Sequence, residues 1–173
     1  HQGGKNVAVF GVEGNFDDAQ SGVKRIFADE RLARRLSERG VVLSSANSIN
    51  WGRLVPQIVY YLSAYCDLLS SGAIRQGEPI RISVPTGNFG DILAAYYAMK
   101  MGLPAEKLIC ASNSNHVLTD FLQTGTYDRN RAFHTTMSPS MDILISSNLE
   151  RLLFMLQGPE KTSICMNELA ETG

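Results

Sequence analysis

The sequence has few of the features that mark several classes of protein. Its three cysteines, Cys66, Cys110 and Cys165, are an odd number without metal-ligand spacing, so we predict neither a disulfide framework nor a metal site. Each lies among apolar residues, where we expect a small buried hydrophobic side chain. A chain without disulfides is typical of a reducing compartment, and we predict a cytoplasmic protein.

Long apolar runs and an excess of one charge are also lacking. No run approaches the roughly 20 residues that a membrane-spanning helix needs, and the first residues do not form a signal peptide. The formal net charge is -1 at pH 7, from 16 basic and 17 acidic side chains. Because a surface for nucleic acid or acidic lipid is usually basic, we predict neither a nucleic-acid nor a membrane partner.

What is present is a 173-residue chain of ordinary globular composition, 44% hydrophobic and 19% charged. Short apolar runs alternate with longer segments of helical periodicity. The apolar runs predict strands at Asn6–Glu13, Val41–Ser45, Ile80–Pro85 and Lys107–Ser112. The periodic segments predict helices at Phe16–Arg39, Leu54–Ser71, Phe89–Met101, Val117–Thr124 and Ser147–Leu156. This alternation predicts an α/β fold with an open, mostly parallel sheet and flanking helices.

Both ends of the sequence predict an incomplete domain. The chain begins without methionine, and its last segment, 158–173, is polar and completes no further unit. We therefore expect residues 1–173 to form part of an α/β domain that is truncated at both ends. An open edge strand would invite self-association of such a chain.

One loop has the character of an anion site. The predicted strand Ile80–Pro85 is followed by Thr86, the sequence Gly87-Asn88-Phe89-Gly90-Asp91 and a helix. Gly87 and Gly90 can adopt positive φ, and the backbone N–H groups of such a turn can surround a phosphate at the helix N-terminus. A tight turn without a ligand is equally compatible with the pattern, and Asp91 would repel a phosphate unless it caps the helix.

A second polar cluster follows the predicted strand Val41–Ser45. Asn47, Ser48, Asn50 and Arg53 lie just ahead of a predicted helix. An N-cap would explain one of them, whereas amide, hydroxyl and guanidinium donors together are suited to a second anion. Two neighbouring anion sites would fit a phosphorylated cofactor and a phosphorylated substrate.

The sequence resembles the threonine synthase family over essentially its whole length. Six stretches carry the resemblance in order, the last of them in two parts, and the two clusters above are the most informative. The matching stretches are 12–20, 44–53, 84–91, 112–115, 124–127, 138–143 and 147–151.

The resemblance implies a fold-type-II enzyme that uses pyridoxal 5'-phosphate (PLP). Members convert O-phospho-L-homoserine and water into L-threonine and phosphate. It further implies that Gly87, Asn88, Phe89, Gly90 and Asp91 bind the cofactor phosphate. Asn47, Ser48, Arg53 and Asn88 would bind the substrate phosphate.

The lysine that the family links to PLP as a Schiff base lies in a Phe-Lys-Asp segment that this chain does not contain. We therefore expect no catalytic residue in the chain, no covalently held PLP and no activity of the chain alone. Two alternatives stay open: a non-catalytic paralogue that binds a phosphorylated ligand, and another fold-type-II lyase or dehydratase. The segment Thr136–Arg151 also matches the family without an assigned chemistry, and we expect it to be structural.

Overall fold

A computed structural model describes residues 3–48 and 50–173, except for the side chain of Phe16. The chain divides into two compact units, His1–Leu43 and Ser44–Gly173. Every predicted cofactor- and substrate-binding residue belongs to the second unit.

The first unit contains two helices where a single helix over Phe16–Arg39 was predicted. α1 (Phe16–Ala28) begins at a capping box in which Asn15 and Asp18 each accept the other's backbone N–H. α2 (Glu30–Ser37) begins after Asp29, whose carboxylate accepts the N–H of Leu32 at 2.9 Å. The single-helix prediction is wrong because Asp29 is extended, with φ -80° and ψ 93°, and caps a new helix.

The strands predicted at Asn6–Glu13 and Val41–Ser45 are absent from the described residues. Both segments expose their apolar side chains: Phe10 is 82% and Val42 85% exposed. A strand needs a hydrogen-bonded neighbour, and these residues pair with no other segment that the structure describes.

The second unit is built on a parallel strand pair. β1 (Ile80–Pro85) and β2 (Ala105–Ala111) are joined by α5 (Gly90–Lys100), and Ser83 pairs with Ile109 in the register. This β1–α5–β2 unit confirms the predicted α/β class with a parallel sheet and flanking helices. The strand predicted at Lys107–Ser112 is observed as β2, which begins two residues and ends one residue before the predicted bounds.

Further helices surround the pair. The predicted helix Leu54–Ser71 is divided into α3 (Trp51–Leu54), a 3₁₀ turn (Val55–Gln57) that contains Pro56, and α4 (Ile58–Ser70). α6 (Val117–Thr124) has the predicted bounds. A 3₁₀ turn (Pro139–Met141) precedes α7 (Leu149–Gln157). The polar segment 158–173, for which no helix or strand was predicted, forms α8 (Pro159–Thr172).

The core of the second unit lies around α5. Leu93, Ala94 and Ala95 are fully buried, and Leu54 and Leu118 pack into the same cluster. The apolar character of α5 on most faces follows from this position between the strands and the other helices. Within the described residues, no helix combines the length and apolar character that crossing a membrane requires.

The cysteines differ from their predicted burial. Cys66 and Cys165 are exposed and Cys110 is half-buried, and none of the three forms a disulfide. An apolar sequence neighbourhood was a poor guide here because α4 and α8 each keep one face in solvent.

Candidate functional site

The loop between β1 and α5 lies at the carboxyl end of the parallel pair. Its entry is fixed where the N–H of Thr86 donates to the carbonyl of Ala111 at 2.7 Å, which extends the strand ladder. The residue with positive φ is Phe89, at 64°, and neither Gly87 nor Gly90 has positive φ. The prediction that the two glycines adopt positive φ is therefore wrong. Phe89 is only 6% exposed, so burial of its ring accompanies the unfavourable backbone conformation.

Packing restricts Gly87, whereas the neighbours of Gly90 lie at ordinary contact distance. A Cβ at Gly87 would lie 2.9 Å from Cδ1 of Ile143. A Cβ at Gly90 would lie 3.4 Å from both Nδ2 of Asn148 and Cβ of Ser48. A side chain at 87 would displace either Ile143 or the loop, whereas a Cβ at 90 would fit against its neighbours.

Two carbonyl groups of the loop point into that segment. The hydroxyl of Ser146 donates to the carbonyl of Gly87 at 2.8 Å, and Nδ2 of Asn148 donates to the carbonyl of Asn88 at 2.9 Å. In a trans peptide the N–H points opposite to the carbonyl, and the described residues contain no cis bond. The N–H groups of Asn88 and Phe89 therefore point away from residues 146–148.

The backbone N–H groups of Gly90 and Asp91, in the first turn of α5, follow directly after those of Asn88 and Phe89. In the described part of the chain, no hydrogen-bond acceptor pairs with the backbone N–H of any residue from Gly87 to Asp91. Helix N-termini carry a partial positive charge, and successive backbone N–H groups there favour an anion. The arrangement is chemically suited to a phosphate.

Asp91 projects from the first turn of α5 on an exposed face. The hydroxyl of Tyr61 donates to Oδ1 of Asp91 at 2.9 Å and approaches its backbone carbonyl at 3.1 Å. Partial burial and this bond raise the pKa of Tyr61 well above its usual range. The Asp91 carboxylate is thus engaged by α4, and it does not cap α5 through its own side chain.

The second predicted cluster precedes α3. Asn50 is the N-cap: its Oδ1 accepts the N–H of Gly52 at 2.9 Å, and its amide donates to the carbonyl of Ser45 at 2.9 Å. Asn47 is exposed and its Oδ1 accepts the hydroxyl of Ser45 at 2.6 Å. Arg53 is exposed on α3, and Ser48 is half-buried. Capping accounts for Asn50 and leaves the other three side chains to be explained.

The structure brings the two clusters together. Ser48 lies against Gly90, and its carbonyl accepts Nη1 of Arg151 at 3.1 Å. Arg151 also donates to Oδ1 of Asn148, the residue that holds the carbonyl of Asn88. A continuous set of contacts thus joins Ser48 to Asn88.

The segment Thr136–Arg151 forms the base of this arrangement. Asp142 is only 2% exposed, and its carboxylate accepts the Thr136 N–H at 2.8 Å, the Thr136 hydroxyl at 2.7 Å and the Asn113 amide at 2.8 Å. Asn115 contributes a further bond of 3.2 Å. The Thr136 N–H is the main cause that lowers the pKa of Asp142 below its ordinary value. A buried carboxylate with this many donors fixes the chain on either side of it.

The sequence did not indicate Asn148, Arg151 or Asp142 as parts of the site. All three lie in stretches that match the family, and Ser147-Asn148 directly before a helix could have been interpreted as a cap. In the structure the Asn148 side chain caps no helix, because it is directed at the glycine loop. The described residues contain no group of three His, Cys, Asp or Glu side chains placed to hold a metal ion.

Comparison with known proteins relates this site to one family. No family model matches the chain. The chain is 60% identical over 154 residues to human threonine synthase-like 1, covering 88% of this chain and 21% of that protein. It is 48% identical over 158 residues to the threonine synthase of Pseudomonas aeruginosa, covering 90% of this chain and 31% of that protein.

A solved structure agrees with these relatives. The PLP-bound threonine synthase of Brucella melitensis superposes with a TM-score of 0.77 at 47% identity, covering 97% of this chain and 34% of that one. The chain therefore spans only about a fifth to a third of the length of the proteins that it matches. The relatives found by sequence and the structure found by fold carry the same family name, and the chain belongs to the threonine synthase family.

Proposed function

We propose that the protein containing this chain is a threonine synthase, which converts O-phospho-L-homoserine and water into L-threonine and inorganic phosphate with PLP. The observation that carries the proposal is the contact between two clusters that are each suited to a phosphate. Ser48 of one cluster packs on Gly90 of the other. A reaction that joins a phosphorylated cofactor to a phosphorylated substrate needs two such sites side by side.

The loop Gly87–Asp91 would hold the cofactor phosphate. Its amide N–H groups, directed away from residues 146–148, are suited to a phosphate, and the close packing at Gly87 keeps them in place. When bound, PLP supplies the electron sink that stabilises negative charge at the substrate carbons. The chain's own contribution is to bind and orient the cofactor through its phosphate.

Asn47, Ser48 and Arg53 would bind the substrate phosphate together with Asn88. The guanidinium of Arg53 can make two parallel bonds to phosphate oxygens, a geometry that a lysine cannot reproduce. Asn88 belongs to the cofactor loop, where the hydroxyl of Ser147 donates to its Oδ1 at 3.4 Å, and Asn148 and Arg151 connect its backbone carbonyl to Ser48. It would therefore set the spacing between the two phosphates.

Proton transfer at the substrate carbons requires the PLP-linked lysine, and no lysine of this chain lies in the Phe-Lys-Asp context of the family. We therefore predict that residues 1–173 alone are inactive and hold no covalent PLP. We further predict a cytoplasmic protein without nucleic-acid or membrane partners. Self-association of the isolated chain stays a prediction as well.

A second candidate is a paralogue that binds a phosphorylated ligand without catalysis. It is compatible with the chain because residues 1–173 include the two clusters but no lysine in the Phe-Lys-Asp context of the family. Both candidates use the same two clusters, so geometry alone does not separate them.

The deciding experiment uses the complete protein that contains this chain. Purified protein with PLP is assayed for phosphate release from O-phosphohomoserine and for the visible absorbance of bound cofactor. Both signals support the synthase, whereas absorbance without phosphate release supports the second candidate. The absence of both overturns the proposal.

A matched pair of variants then tests the substrate site. Arg53→Ala should raise the KM for O-phosphohomoserine about tenfold or more, the effect of losing a charge-assisted hydrogen bond. Arg75 is also exposed but lies outside both clusters, so Arg75→Ala should leave the KM unchanged. Equal KM values for the two variants would contradict the assignment of Arg53 to the substrate phosphate.

A further inference from the structure

We propose that Arg151 and Asn148 are positioning residues that lock the substrate-phosphate cluster to the cofactor loop and so set the distance between the two phosphates. The inference rests on the proposed function, because it concerns the same two clusters. Neither residue belongs to either cluster, and both come from the start of α7.

Arg151 holds the substrate cluster through the backbone of Ser48. Its Nη1 donates to the Ser48 carbonyl at 3.1 Å across 103 residues of sequence. The guanidinium lies 5.5 Å from the ring centroid of Trp51, the first residue of α3. Trp51 in turn meets Tyr97 of α5 edge-on at 5.4 Å. Arg151 thus contacts both the loop before α3 and the first turn of that helix.

Asn148 holds the cofactor loop through the backbone of Asn88. It is fully buried, and both its backbone N–H and its Nδ2 donate to the Asn88 carbonyl, at 3.1 Å and 2.9 Å. Since that carbonyl and the N–H of Phe89 share one peptide plane, Asn148 fixes the direction of a donor in the proposed phosphate site. Its Oδ1 accepts from Arg151, which fixes the amide orientation.

The pair therefore behaves as one unit. Both bonds are donated by Nη1, whose two N–H groups are fixed in the rigid plane of the guanidinium and can reach the Ser48 carbonyl and the Asn148 amide oxygen at once. A lysine can retain the charge but has no such plane. Replacing the guanidinium of Arg151 should allow the substrate cluster to move relative to the cofactor loop without removing any residue that binds a phosphate.

The test compares Arg151→Met with Arg129→Met in the complete protein. Arg129 also donates to a single backbone carbonyl, that of Ala170 at 2.9 Å, but at the far end of α8. Arg151→Met should raise the KM for O-phosphohomoserine about tenfold and change kcat by less than about threefold. Arg151→Lys should recover only part of that loss, and Arg129→Met should resemble the wild type.

A readout independent of activity is hydrogen–deuterium exchange of the cofactor-free protein. Arg151→Met and Asn148→Ala should each speed exchange in a peptide covering residues 90–97, in which the N–H of Leu93 bonds to the Phe89 carbonyl of the loop at 3.1 Å, while Arg129→Met should not. If Arg151→Met does not fold, Arg151→Lys carries both measurements and should still raise the KM at least about threefold.

Unchanged KM and exchange in the Arg151 variants of an active enzyme would overturn the inference and leave the proposed function standing. A wild-type protein that shows neither phosphate release nor cofactor absorbance would overturn the proposed function. In that case the exchange comparison still reports whether Arg151 holds the loop.

Discussion

Replacing Gly87 by alanine should destabilise the protein through a single contact with Ile143. The ideal Cβ would lie 2.9 Å from Cδ1 of Ile143, whereas the backbone of Met141 would be 3.6 Å away, an ordinary contact distance. Gly87 has no positive φ, so alanine adds no backbone strain. The effect therefore depends on whether the Ile143 side chain can move.

The magnitude follows from the burial of Ile143. This side chain is only 2% exposed, so its terminal methyl group has little room, and overpacking of this kind costs about 1–3 kcal/mol. Alanine also restricts the unfolded chain, which offsets about 0.4–1 kcal/mol. We expect Gly87→Ala to lower the free energy of unfolding by about 1–2 kcal/mol.

The assay is a double-mutant cycle with Ile143→Val, measured by urea unfolding of the complete protein. Valine lacks the clashing Cδ1 and should itself cost about 1 kcal/mol. In that background Gly87→Ala should cost less than about 0.5 kcal/mol, which leaves a coupling energy of about 1 kcal/mol or more. As a control, Gly22 in α1 has no neighbour within 4 Å, and Gly22→Ala should stabilise by about 0.5–1 kcal/mol.

Additive effects of the two changes would refute this reasoning. The requirement for glycine at 87 would then come from something other than the contact with Ile143. A stabilising Gly87→Ala would show that the loop moves away from residues 141–148 at no cost.

Two further predictions concern acid stability and a helix end. Because hydrogen bonds lower the folded pKa of Asp142 below its ordinary 3.8, its stabilising contribution is present above that value and is lost as the pH falls through the folded pKa. Urea midpoints between pH 2.5 and 6 should therefore fall more steeply on acidification in the wild type than in Asp142→Asn, and parallel curves would contradict this. Gly125 ends α6 with φ 79° and no neighbour within 4 Å. Gly125→Ala should cost about 1 kcal/mol by urea unfolding and Gly125→Asn clearly less, so equal losses would exclude backbone strain as the cause.

Much of the second unit was predictable because its signals are local. The apolar run at 80–84, the following glycines and the periodic segment to Lys100 predict a strand, a turn and a helix without reference to the rest of the chain. α6 was predicted with its observed bounds since Gly125 terminates it through a left-handed conformation. The division at Asp29 also has a local cause, an aspartate that caps the next helix, and the long periodic pattern concealed it.

The strands predicted at 6–13 and 41–45 failed for the opposite reason. Apolar residues make a segment able to join a sheet, but pairing depends on a neighbour that the segment's own sequence does not specify. Phe10 and Val42 are more than 80% exposed because the described residues supply no such neighbour. The helix at 159–172 was missed because its sequence is mostly polar, and only Thr162 is buried.

For the site, the sequence by itself determined two polar clusters ahead of helices, and their use as phosphate sites stays a prediction, since a tight turn and N-capping also employ glycine, asparagine and serine. The tertiary structure alone decided how the clusters are joined. Asn88 and Asn148 are 60 residues apart, and Ser48 and Arg151 are 103 apart. Such contacts form only when the packing of α3, α5 and α7 brings their ends together, because no local pattern encodes the distance between segments so far apart along the chain.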